Sequence, residues 1–102
     1  MDIRSDHLTI VRAILAKHVP DAEVRVFGSR ATRNAKAHSD LDLAILGREK
    51  TDENSLASLK TAFDETDLPF RVDVVDWRSL PESFVKLLDG GYDVIQRPRD
   101  ET

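Results

Sequence analysis

Two aspartates one residue apart, Asp40 and Asp42, open a run that is otherwise apolar: Leu41, Leu43, Ala44, Ile45 and Leu46. Side chains of a strand alternate between its faces, so the two carboxylates point one way and Leu41 and Leu43 point into the opposite layer. A chain with this run must build a sheet that has one packed face and one acidic face. Carboxylates gathered in a small volume repel each other unless a divalent cation sits among them, and hard oxygen ligands beside phosphates favour magnesium over zinc. Upstream, Phe27-Gly28-Ser29 reads as a strand ending in a tight turn. Gly28 lets the backbone approach a phosphate with no Cβ in the way, amides at a following helix N-terminus supply oriented donors, and Ser29 adds a hydroxyl. Ten residues separate Ser29 from Asp40, enough for a turn of helix and a return to the neighbouring strand. Cradle and acids then face each other, an arrangement suited to phosphoryl or nucleotidyl transfer.

The rest of the chain alternates helix and strand, which predicts an α/β (α+β) fold with a small mixed sheet flanked by helices. Ser5 or Asp6 is expected to cap a first helix carrying Leu8, Ile10, Val11, Ile14 and Leu15 at helical spacing and ending before Pro20. Glu23 to Phe27 is the first strand and Asp40 to Leu46 the second, with a short helix opening at Ser29 between them. Asp52 starts a second helix with Leu56, Leu59, Ala62 and Phe63 on one face. Phe70 to Asp76 is β-branched and alternating, a third strand, and Pro81 opens a last helix with Phe84, Val85, Leu87 and Leu88 turned inward. Gly90-Gly91 ends it, and Tyr92 to Ile95 adds a short strand. One domain is expected over residues 1 to 96, followed by a frayed tail at 97 to 102.

Asp73 completes the acidic site if the third strand lies beside the second. It shares a strand face with Arg71 and Val75, while Phe70, Val72 and Val74 face the core, and a carboxylate so placed needs a partner. In a two-magnesium site Asp40 and Asp42 bridge both ions, and Asp73 holds the one that activates the attacking oxygen and serves as general base. Arg30 is the cation of the cradle segment best placed to meet phosphate. Arg33 and Lys36 read as solvated surface, and Asp76 as the end of its strand, capping the segment after it. His7, His18 and His38 lack zinc-ligand spacing, and Trp77 and Tyr92 read as core or partner-facing anchors.

Composition narrows the partners. With no cysteine there is neither a disulfide framework nor a thiolate metal site. No apolar run reaches the length of a membrane span or of a signal peptide's core, so a cytoplasmic protein is expected. A net charge of -4 argues against direct binding along a nucleic acid, which needs a basic surface. A small nucleotide or a protein partner fits better.

Gly28-Ser29, ten residues, Asp40-Leu41-Asp42 and a later strand with Asp73 resemble the nucleotidyltransferase superfamily that includes DNA polymerase β. The short chain that ends soon after the third acid is similar, more narrowly, to the minimal nucleotidyltransferases, the MntA-type antitoxins. The resemblance covers nearly the whole chain. It implies a mixed sheet carrying the three acids, ATP as substrate with magnesium, and a hetero-oligomeric pairing with a helical HEPN-type RNase toxin. The implied activity is transfer of AMP from ATP to a tyrosine of that toxin. Where members often carry Ala-x-Gly after the Gly-Ser, this chain has Ala31-Thr32-Arg33. Two alternatives stay open: an antitoxin that inhibits by binding alone, which Arg33 keeps open, and the catalytic subunit of a two-component small-molecule nucleotidyltransferase.

Overall fold

Helices α1 (Ser5–His18) and α2 (Glu53–Asp64) lie on one face of a four-stranded sheet built from β1 (Glu23–Phe27), β2 (Leu41–Leu46), β3 (Val72–Asp76) and β4 (Asp93–Gln96). The computed structural model describes residues 3–28 and 40–99. The strand order is β3-β2-β1-β4. β1 runs antiparallel to both β2 and β4, whereas β2 and β3 are parallel and joined through α2. The sheet is therefore mixed, with β3 on one edge. A turn of 3-10 helix (Trp77–Ser79) and α3 (Glu82–Leu88) follow β3.

Alternation along the strands sorts the side chains. Val24 and Val26 of β1, Leu41, Leu43 and Ile45 of β2, and Val72 and Val74 of β3 pack with Val11 and Leu15 of α1 and Leu59 and Phe63 of α2. Leu15, Leu41, Leu43, Ile45 and Leu59 expose no surface, and full burial of such a side chain stabilises by about 1.5–3 kcal/mol relative to exposure. A slip of β2 by one residue would swap Leu41 and Leu43 for Asp42 in this layer. The apolar core thus fixes the direction in which Asp42 points.

The other sheet face is covered at one end. Phe84 of α3 meets Phe27 edge-on, with ring centroids 6.3 Å apart. The Arg25 guanidinium lies 4.5 Å from the Trp77 ring centroid and 4.4 Å from that of Tyr92, and these two rings meet at 5.9 Å. Arg25 also pairs with Glu23. The two aromatics are anchors, and what they anchor is a cation on β1. Asp76 ends β3 as the sequence suggests. It is buried and caps the 3-10 turn, accepting from the Arg78 N–H at 3.3 Å and from Ser79 Oγ at 3.0 Å.

Helix ends are mixed. Asp52 caps α2, its Oδ1 accepting from the Ser55 N–H at 2.7 Å. At α1 the expected Ser5 or Asp6 cap is corrected: Arg4 occupies the cap position with no side-chain cap bond, and Asp6 lies in the first turn, paired with Arg4 at 3.1 Å. That turn still carries an acid where the helix dipole favours one. For α3 the expectation of four inward apolar residues is also corrected. Leu88 is buried, Phe84 is 37% exposed and Leu87 is 75% exposed. Phe84 and Leu88 lie one turn apart on a shared face, and Leu87 stands about 100° away from Leu88, so a two-turn helix cannot bury all of them. Beyond β4, Arg97 pairs with Glu23 at the start of β1 at 3.2 Å, and the Arg99 N–H donates at 2.9 Å to the carbonyl of Pro20 in the connection before β1, so residues 97 and 99 of the segment expected to fray have partners in the fold.

Candidate active site

The open sheet face gathers acids where β2 and β3 run side by side. Asp42 and Asp73 are register partners in the parallel ladder, as Leu41 and Val72 are one step earlier and Leu43 and Val74 one step later. Both acids are half-buried and face away from the helices that cover their strand neighbours. Asp40 is exposed and directly precedes β2, whose first N–H, that of Leu41, donates to the Arg71 carbonyl at 2.9 Å. On the other side Asp42 is the register partner of Phe27, the last residue of β1.

Gly28 comes immediately after Phe27. Its φ is 76°, a left-handed conformation that glycine adopts without the steric penalty of a Cβ. A Cβ built there would fall far inside van der Waals contact of Asp42 Oδ2. The turn glycine and the central acid are thus in direct apposition, and a side chain in place of Gly28 would have to displace the Asp42 carboxylate. Ser29 and Arg30, expected to join Gly28 in the cradle, lie outside the described residues, as do Arg33, Lys36 and His38.

Electrostatics single out Asp42. Burial pushes its carboxyl above the ordinary range, and the charges of Asp73 and then Asp40 push it further. Asp73 has a counter-charge, with Arg71 Nε 3.2 Å from its Oδ1. Arg71 also lines a cleft of about 310 Å³ with Lys60, Asp64, Val72 and Asp73. Sequence reasoning places Arg71 on the face of Asp73 but gives it no role. The available signal is the cation two residues before an acid on one strand.

The donor set suits magnesium: carboxylate oxygens, brought into register on neighbouring strands, with one acid held toward protonation by burial and the other two charges, a strain that a divalent cation relieves. Among the described residues no group of three His, Cys, Asp or Glu side chains stands close enough to hold a metal ion. Asp40, Asp42 and Asp73 would share an ion only after their side chains turn toward one another.

A mixed sheet with helices packed on one face and in-register acids on the other has the architecture of a nucleotidyltransferase domain. The chain belongs to the family described as polymerase beta, nucleotidyltransferase, whose model matches residues 11–97. It is 48% identical over 96 residues to the Haemophilus influenzae protein named "Probable protein adenylyltransferase MntA", covering 94% of this chain and 84% of the relative. Two solved structures share the fold. A toxin-antitoxin structure with AMP-PNP superposes with a TM-score of 0.75 at 20% identity, over 90% of this chain and 74% of that one. A complex of tri-AMPylated Shewanella oneidensis HEPN toxin with MNT antitoxin gives 0.70 at 18% identity, over 95% and 75%. The family and the fold class expected from the sequence both hold.

Proposed function

We propose that this protein is an antitoxin that transfers AMP from ATP to a tyrosine of a partner HEPN-type RNase toxin and so neutralises it. The observation that carries the reading is the register pairing of Asp42 with Asp73 directly beside Gly28. The 48% identity to a protein adenylyltransferase supports it, and solved complexes of the same fold include an AMPylated HEPN toxin.

In this reading Gly28, Ser29 and Arg30 bind the triphosphate, the glycine by leaving room for close approach. Asp40, Asp42 and Asp73 would hold magnesium, two ions in all, which supply positive charge against the phosphates and the developing negative charge on the leaving group. Asp73, half-buried at the edge strand, accepts the proton of the acceptor hydroxyl. The tyrosine oxygen bonds to the α-phosphorus, the bond to the β-phosphate bridge breaks, and pyrophosphate leaves. No helix among the described residues is long and apolar enough to cross a membrane, and a cytoplasmic setting with a protein acceptor fits the reading.

The test is intact mass of the cognate toxin after incubation with the protein and ATP. The toxin should gain mass in AMP units only when magnesium and ATP are present. A toxin that stays unmodified under those conditions, yet is neutralised in cells, would show inhibition by binding alone.

A further inference from the structure

Four positions on the open sheet face form a square of charge. Asp42 and Asp73 are register partners across β2 and β3. The bond from the Leu41 N–H to the Arg71 carbonyl sets Asp40 and Arg71 beside each other one turn of the pleat earlier. Three corners are acids and the fourth is a cation. Arg71, which directly precedes β3, reaches Asp73, Nε to Oδ1 at 3.2 Å, at the edge strand of the sheet. Its side chain is 74% exposed and that of Asp73 is 40% exposed. An ion pair so open to solvent is weak and can be broken without cost to the fold.

We propose that Arg71 is a tethered counter-ion of the acid cluster, holding Asp73 while no divalent cation is bound and yielding that carboxylate when one arrives with nucleotide. The proposal rests on reading the three acids as a cation site. A fixed positive charge beside the cluster opposes a bare dication, since the two repel at short range. A dication that arrives on a triphosphate brings net negative charge, which the same guanidinium attracts. Arg71 also lines the cleft formed with Lys60, Asp64, Val72 and Asp73. The residue thereby makes cation binding depend on nucleotide. It acts through Asp73 and through charge, and is a positioning residue.

The experiment is titration of Mn2+ into the parent, Arg71→Gln and Arg71→Lys proteins, first alone and then with a non-hydrolysable ATP analogue, with circular dichroism to verify folding. Without nucleotide, Arg71→Gln should bind Mn2+ roughly threefold or more tightly than the parent, and Arg71→Lys, which keeps the charge, should stay close to the parent. With the analogue the order should reverse, Arg71→Gln binding the complex more weakly. A purely structural role predicts weaker Mn2+ binding in both conditions, because Asp73 would lose its orientation, and that result would overturn the proposal. Equal affinity of parent and Arg71→Gln for Mn2+ alone would overturn it too, while leaving the metal site standing. If neither protein takes up Mn2+ even with the analogue, the cation reading of the acids falls and this assignment falls with it.

Discussion

Asp42 and Asp73 stand in register on adjacent parallel strands, so the sheet itself, and no flexible loop, brings the two carboxylates together. Their strand neighbours Leu41, Leu43, Val72 and Val74 are buried on the opposite face. The pair is therefore fixed by core packing. Separating the acids would require a register shift that exposes these four residues.

Holding the acids together costs stability, and pH should reveal it. The Asp42 carboxyl is raised by burial, then by Asp73 and Asp40. The folded state thus binds its proton more tightly than the unfolded state, and the slope of stability with pH is negative over that interval. Stability attributable to this group is present below the ordinary carboxylate range and is lost as pH rises through the raised value. Asp42→Asn should therefore melt at a higher temperature than the parent at pH 7 in EDTA, with the difference vanishing in acid. Thermal melts across pH would show this, and a variant less stable than the parent at pH 7 would contradict it.

Gly28→Ala tests the apposition of the turn with Asp42. The left-handed φ costs an alanine about 1–2 kcal/mol, and the new Cβ must displace Asp42 Oδ2. Urea denaturation should show at least that loss, and transfer activity should fall with it. Parental stability would mean that the turn relaxes away from this conformation.

Arg25→Ala should destabilise the fold. Its side chain is only 15% exposed and lies against Trp77 and Tyr92. Cation–π contacts of this kind contribute roughly 0.5–2 kcal/mol each. A loss of about 1–3 kcal/mol in urea is expected, with partial recovery in Arg25→Lys. An unchanged midpoint would show that the stack contributes nothing.

Leu87→Asp addresses the partner surface. Leu87 is 75% exposed on α3, the helix whose Phe84 packs on Phe27 next to the site. Because nothing buried is lost, folding stability should change by no more than about 0.5 kcal/mol, whereas affinity for the toxin should drop. A folded variant that binds the toxin as tightly as the parent would remove α3 from the interface.

Much of this arrangement is legible in the sequence because strand alternation is a short-range rule. Leu41-Asp42-Leu43 and Val72-Asp73-Val74 each declare which residue is buried and which is not. Pairing of β2 with β3 is a long-range event, and in the sequence it stands only as a condition on the role of Asp73. The clasp of Arg25 by Trp77 and Tyr92 joins three distant segments and has no local signature. The α3 residues mislead for a different reason. An apolar cluster in a seven-residue helix marks amphipathicity but does not say which face the sheet will cover.

The most direct measurement is transfer of label from ATP to the cognate toxin, with the label on the α-phosphate in one reaction and on the γ-phosphate in another. The parent should label the toxin from the α-phosphate alone, and Asp40→Asn, Asp42→Asn and Asp73→Asn should each abolish labelling while still binding the toxin, since each removes a proposed metal ligand. Undiminished labelling by all three variants, or a triple-Asn protein that neutralises the toxin as well as the parent with no label in either case, would contradict the account.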